Sequence, residues 1–320
     1  MLNIIDMHCD TIYKLVNSKE EKNLKKNDLS VDIEKLKGGN SLAQFFALFI
    51  DKEECEDSLD TCLKMLDRFY LELKKNEDNI RLARNYNELC NNKSLGKISA
   101  FLTIEDGGAL KGKLYNLRNF YRLGVRLITL TWNYKNEIGY PNCKDKYMEK
   151  GLTTFGVELI EEMNNLGMTI DVSHLSDGGF YEVAKHSKDP FIASHSNARA
   201  ITPHRRNLTD EMIKLLSEKG GIMGINFCNG FLKTMGDDNT GVSNIEDMVR
   251  HIKHIKNVGG VQCIALGTDF DGISCPVEIQ DISQMEKLVI ALDKEGFSEE
   301  EIEKICYKNA ERIIKDILID

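Results

Sequence analysis

Three observations predict a parallel (β/α)8 TIM barrel with additional C-terminal helices. Eight short apolar runs read as buried strands: Asn3–His8, Leu42–Ile50, Ile98–Ile104, Arg126–Leu130, Met168–Val172, Phe191–Ser194, Gly221–Asn226 and Cys263–Gly267. Segments of helical period lie between many of them, so strand and helix alternate along the chain, which favours a closed barrel over a doubly wound sheet. Two consecutive runs, within GMTIDVSHLS and PFIASHSN, each present a histidine at the carboxyl end, His174 and His195. That is the end at which such barrels build their sites, and imidazole is a metal ligand.

The first run ends His8-Cys9-Asp10. Strand alternation places His8 and Asp10 on one face and Cys9 on the other, packed against helices. A His-x-Asp pair facing into a barrel can bind one metal ion, although a chance surface pair after a short strand looks the same. The charged stretch Lys19–Asp28 reads as a solvated loop, and SLAQFFALFI as core or lid. Asp57–Lys75 then carries a helical period.

The third run leads into FLTIEDGGAL, where Glu105 precedes Gly107 and Gly108, two residues that let backbone approach a site closely. A carboxylate here can bridge two metal ions, or equally cap a helix or face solvent; Asp106 points the other way. Leu114–Leu123 is helical, and LITLTWNYKNEIG follows with the only tryptophan, Trp132. Helical periods continue at Leu152–Leu166, Thr209–Lys219 and Ile245–Val258, with Gly after several of them as a stop. His186 and His204 fall in expected loops, with His204 near enough to Arg206 to line a pocket. His251 and His254 stand three apart among Arg250, Lys253 and Lys256, which reads as a solvated helix face. Phe231 and Met235 in FLKTMGD read as core or lid. The last run ends ALGTDFDG, where Asp269 suits proton transfer and Asp271 organises the turn. Ser298–Lys308 and Asn309–Leu318 are expected as terminal helices.

Composition narrows the function classes. The chain carries 42 Lys+Arg against 51 Asp+Glu, a net charge of −9, with no long basic block. Nucleic acid and anionic membrane are thereby disfavoured as partners. Nine cysteines form no CxxC pair, which reads as reduced thiols in a cytoplasmic protein. The amino terminus lacks a secretory pattern, and no apolar run approaches the roughly 20 residues of a membrane span. Without repeat or linker, residues 1–320 read as a single domain. Neither a nucleophile elbow nor a phosphate-binding glycine loop is present.

Taken together, His8-Cys9-Asp10, TIEDGG, IDVSHLS, IASHSNARAITPHRRN and GTDFDG resemble the membrane or renal dipeptidase family, zinc-dependent peptidases of the metal-dependent hydrolase superfamily. The similarity runs from the first strand to the last helix. It implies two Zn2+ ions, one held by His8 and Asp10, the other by His174 and His195, with Glu105 bridging both. Other divalent metals also suit these ligands. A metal-bridging hydroxide would attack the peptide carbonyl. The resemblance gives Asp269 the substrate amino group and the proton for the leaving amine, and gives Arg206 the substrate carboxylate, for which a planar fork of donors is suited. Arg205 beside it reads as either a helper or a surface charge.

One departure stands out. Trp132 occupies the place of a histidine that, in renal members, holds substrate and stabilises the tetrahedral intermediate. Indole can only stack and donate one hydrogen bond. Either Asn133 and Asn136 take part of the polar role or the activity is altered in rate or range; Trp132 and Asn133 are the expected substrate contacts, with a packed aromatic on the rim as the other reading of Trp132. The implied partners are a small dipeptide, including L-D dipeptides from cell-wall turnover, and a second copy of the chain in a homodimer. The alternatives are an amidohydrolase acting on another small amide, lactam or lactone, and a non-catalytic metal-binding homologue.

Overall fold

The computed structural model describes residues 2–233 and 241–318. Among the described residues nine parallel strands carry the fold: β1 Ile4–Cys9, β2 Ser41–Phe49, β3 Ile80–Leu82, β4 Ile98–Glu105, β5 Val125–Thr129, β6 Thr169–Asp171, β7 Ile192–Ala193, β8 Ile222–Ile225 and β9 Ile264–Leu266. Eight of them close a ring, because β1 pairs with both β2 and β9, while β2 pairs along its length with β4. The eight match the eight apolar runs. The ninth, β3, was not expected; it is three residues long and only its first is fully buried, so it leaves no apolar run to read. It pairs with Ile98–Ala100 of β4, whereas β5 pairs with Leu102–Glu105 further along the same strand.

Burial explains why the strands read as continuous apolar runs: β1 and β4 are buried at every position, with side chains facing helices on one side and the barrel interior on the other. The interior is filled by Ile5, Met7, Phe45, Phe101, Leu127 and Ile222, with Phe45 and Phe101 stacked at 4.7 Å between ring centroids. This cluster continues into Ile313, Ile314 and Ile317 of the terminal helix, which covers the end of the barrel opposite the strands' carboxyl ends.

The helices follow from local signals. Asp57 caps Ser58–Lys75 by accepting the N–H groups of Leu59 and Asp60, and Cys62, Met65, Leu66, Phe69 and Leu73 form its buried stripe. Each such side chain contributes about 1.5–3 kcal/mol on burial. Ser298 and Glu301 form a reciprocal capping box at the start of the terminal helical segment.

Several expectations need correction. His251 is not solvated: it is fully buried, its Nδ1 accepting the Ala198 N–H at 3.1 Å and its Nε2 bonding the Leu232 carbonyl at 2.9 Å. A helix face with charges on both sides concealed one inward position. His254 does face outward and pairs with Asp210 at 2.7 Å. His186 ends the helix Asp177–His186 instead of lying in a loop. Phe45 of SLAQFFALFI is core; of FLKTMGD, Phe231 and Leu232 close a short helix, while 234–237 lie outside the described residues. No helix among the described residues is long and apolar enough to cross a membrane.

Candidate active site

The carboxyl ends of β1, β4, β6, β7 and β9 deliver His8, Asp10, Glu105, His174, His195 and Asp269 to one place. Glu105 stands at the centre with its two oxygens divided. Oε2 lies 3.2 Å from His8 Nε2, while Oε1 lies 3.1 Å from His174 Nε2 and 3.5 Å from His195 Nε2. Asp10 Oδ2 approaches His8 Nε2 at 3.4 Å, and His174 Nε2 faces His195 Nε2 at 3.1 Å.

These atoms fit a metal centre. Both ring nitrogens of His8, one oxygen of Asp10 and Oε1 of Glu105 are buried without a hydrogen-bond partner, an expensive arrangement unless a cation satisfies them. His8, Glu105 and His195, and separately His8, Asp10 and Asp269, gather ligand atoms within 4.8 Å of one another. Imidazole and carboxylate are ligands that zinc and other first-row divalent ions accept.

The histidines are oriented from behind, as ligand imidazoles usually are. Buried Asp171 accepts hydrogen bonds from Thr129 Oγ1 at 2.6 Å, Ser194 N–H at 2.8 Å and Ser194 Oγ at 2.6 Å. With its own proton given to Asp171, Ser194 Oγ accepts from His195 Nδ1 at 2.7 Å, so the Nε2 lone pair faces the site. His174 Nδ1 donates to Asn133 Oδ1 at 3.3 Å and likewise leaves Nε2 free. Burial, then the nearby Arg206 charge, push His174 down to about 4, and burial with the His8 charge holds His195 well below its usual range. Both rings are thereby held neutral, the form that ligates. Burial alone would raise Glu105, but the neighbouring His8 charge outweighs it and holds the carboxyl well below its usual range.

Asp6 and Asp171 were not anticipated as parts of the site. Asp6, fully buried in β1, accepts the Thr268 N–H at 2.8 Å, Thr268 Oγ1 at 2.9 Å and Gln44 Nε2 at 2.8 Å, and so locks β9 against β1 just before Asp269. A lone acid inside each apolar run was the available signal.

Asp269 Oδ2 accepts from Asn226 Nδ2 at 2.8 Å, and Oδ1 lies 3.9 Å from His8 Nε2. Burial first, then the neighbouring Asp10 and Glu105 charges, raise its carboxyl to about 7 against the opposing His8 charge. That range suits proton transfer near neutrality. His174, Asp269 and Asp271 all adopt left-handed backbone, with φ of 67°, 62° and 67°. For non-glycine residues such conformations cost energy and concentrate at functional sites. The loop after β9 passes so close that a Cβ on Gly272 would overlap the Asp10 and Asp269 carboxylates. As expected, Asp271 organises loops, accepting from Thr11 Oγ1 and Ser30 N–H, both at 2.7 Å.

Arg206 lies 4% exposed, its Nη1 donating to Ser196 Oγ at 3.3 Å and its Nη2 to the His195 carbonyl at 3.2 Å. Its Nε has no partner, and no carboxylate pairs with it among the described residues. Together with Asn133, His174, His204 and Phe231 it lines a cleft of about 510 Å3. Arg205 lines the same cleft but is half-exposed and paired with Asp145 at 2.5 Å.

Trp132 is half-buried on the rim, edge-on to Phe49 at 4.8 Å and 6.2 Å from His174 between ring centroids. Asn133 lines the cleft but also holds His174, a supporting contact absent from the sequence expectation. Asn136 does not serve substrate: its amide donates to Leu130 O and Asp106, and its carbonyl accepts from Ile138 and Gly139, closing a turn. Asp106 accepts the Gly108 N–H and caps that turn, and Cys9 packs with Ile12 and Leu15 of the helix that follows β1, on the helix side of the strand as expected.

The family model for membrane dipeptidase, peptidase family M19, matches residues 1–318. An uncharacterized dipeptidase of Schizosaccharomyces pombe is 31% identical over 346 aligned residues, covering 98% of this chain and 80% of that protein. An uncharacterized protein of the pqqA 5' region in Klebsiella pneumoniae is 37% identical over 222 residues, covering 67% of this chain and 80% of its own length. A solved metallo peptidase from Rhodobacter sphaeroides, liganded with a phosphinate mimic of the dipeptide L-Ala-D-Ala, superposes with a TM-score of 0.89 at 25% identity over 99% of each chain. A barrel whose strand ends converge on histidines and carboxylates, matched across nearly its whole length, belongs to the membrane dipeptidase family, peptidase family M19, and is a metallodipeptidase of that family.

Proposed function

We propose that this dipeptidase hydrolyses dipeptides with a free amino group and a free carboxylate, over two zinc ions held by His8 and Asp10 on one side and His174 and His195 on the other, with Glu105 shared. The observation that carries the reading is the divided carboxylate of Glu105, one oxygen toward His8 and the other toward the His174–His195 pair. Zinc so bound supplies Lewis acidity and lowers the pKa of water toward neutrality.

The protein's own groups then have separable tasks. Arg206 takes the substrate carboxylate, supported by its buried guanidinium, its unpartnered Nε and the absence of a competing acid among the described residues. Asp269 receives the substrate amino group and moves the proton to the leaving amine, with Asn226 fixing which oxygen faces the substrate. Asn133 steadies His174, and Trp132 forms an apolar wall beside it. The superposition on a structure holding an L-Ala-D-Ala mimic supports including L-D dipeptides among the substrates. The reading also includes a cytoplasmic location, supported by nine free cysteines, and a homodimer, which rests on family resemblance alone.

The test is amino-acid release from a panel of L-L and L-D dipeptides by zinc-reconstituted protein, beside a chelated sample. Chelator-sensitive release is expected; a metal-loaded protein that leaves every dipeptide intact sinks the reading.

A further inference from the structure

Two of the nine free cysteines meet at the edge of the site. Cys228 follows β8 and Cys275 follows β9, and both are half-buried. Cys275 Sγ accepts the backbone N–H of Asn229, the residue after Cys228, at 3.4 Å, which brings the two cysteines together. Cys275 also lines an open cleft of about 380 Å3 with Lys14, Phe270 and Pro276. By contrast Cys9, Cys62, Cys263 and Cys306 are buried.

The two thiols are unequal. The neighbouring Cys228 thiol, opposed by burial and reinforced by the Asn229 N–H, draws the Cys275 thiol down to about 6, while the same proximity and burial push Cys228 up. A cysteine of lowered pKa on an open cleft, beside a second thiol, is the arrangement that supports disulfide exchange.

We propose that Cys228 and Cys275 form a redox-active dithiol that exchanges with low-molecular-weight disulfides, and that closing it slows the active site. The Cys275 thiolate attacks one sulfur of the small disulfide; a bond forms between them, the original S–S bond breaks, and one thiol leaves with a proton. Cys228 then gives up its proton and attacks the Cys275 sulfur, displacing the second small thiol. The protein dithiol loses two electrons and two protons, and the small disulfide becomes two thiols.

The link to the site runs through the backbone of Cys228. Its N–H donates to Asn226 Oδ1 at 2.6 Å, and the Asn226 amide holds Asp269 at 2.8 Å. A bond that draws Cys228 toward Cys275 moves the group that orients Asp269. The effect on turnover rests on the dipeptidase reading; the thiol chemistry does not.

The test treats the metal-loaded full chain with glutathione disulfide, alkylates the remaining thiols and maps them by peptide mass. The expected result is a Cys228–Cys275 cross-linked peptide and a fall in kcat of roughly tenfold to a hundredfold, as displacement of a positioned group produces. Dithiothreitol should reverse both. Cys228→Ser should stop at a Cys275–glutathione mixed disulfide, and Cys275→Ser should give no cross-link and keep its kcat under the same treatment. Absence of the cross-link in the native chain overturns the proposal whether or not dipeptides are hydrolysed. A complete cross-link with unchanged kcat overturns the coupling to Asp269.

Discussion

His174 and His195 face each other through Nε2 atoms 3.1 Å apart, and each has its other nitrogen engaged, by Asn133 and Ser194 respectively. With both Nδ1 atoms donating, two lone pairs converge on the same space as Glu105 Oε1. Such a cluster repels itself until a cation enters. Removing metal should therefore lower thermal stability, and zinc at a hundredfold excess over its Kd should restore about 2.7 kcal/mol. Calorimetry of chelated and reconstituted protein reads the difference; identical melting curves would contradict the metal assignment.

Ser194→Ala and Asn133→Ala separate support of a ligand from contact with substrate. Each leaves one imidazole without its hydrogen-bond partner, so metal affinity should fall roughly 10–100-fold, as for other groups that orient metal ligands. Competition with a chromophoric chelator measures this directly. If Asn133→Ala raises KM while metal affinity stays unchanged, Asn133 acts on substrate and not on His174.

Arg206→Ala should raise KM, with a loss in kcat/KM equivalent to about 2–5 kcal/mol for a buried charged contact. Amidating the substrate's carboxyl group should produce a similar loss in the native protein and little further loss in the variant. Arg206→Lys should restore only part, because an ammonium cannot present the planar fork. Equal activity of native and variant toward free-acid dipeptides would exclude this role.

Asp269→Asn keeps the hydrogen bond to Asn226 within reach but removes the proton-transfer group. Expected is a drop in kcat of about 10²–10⁴-fold with metal content unchanged. Measuring bound metal alongside kcat distinguishes loss of proton transfer from loss of the centre.

His251 makes stability depend on pH. Burial, opposed by the Leu232 hydrogen bond and helped by the Arg250 charge, lowers it from 6.5 to about 4, so the fold favours the neutral ring. Its contribution is fully present above pH 6.5 and is lost as pH falls toward 4, roughly 3 kcal/mol over that window. His251→Gln cannot titrate. Urea unfolding at several pH values should show the native chain losing more stability than the variant between pH 7 and 4.

Much of this protein was legible in order of residues. Eight buried strands, their alternation with helices, and the position of His8, Asp10, Glu105, His174, His195 and Asp269 at strand ends all follow from local pattern, because a parallel strand shielded on both sides must be apolar until it emerges. What the order of residues could not show is which polar groups meet. Asp171 reaches His195 through Ser194 only once β6 and β7 lie side by side, and Asp6 locks Thr268 only because the ring closes between β1 and β9. His251 read as solvated because its charged neighbours dominate the local sequence, yet the loop from Ala198 to Thr202 packs over it. The sequence by itself determined the strand ends and the chemistry placed on them. Tertiary structure decided the tautomers, the divided carboxylate of Glu105 and the meeting of Cys228 with Cys275, since each depends on distances between segments that are neighbours only in the closed barrel.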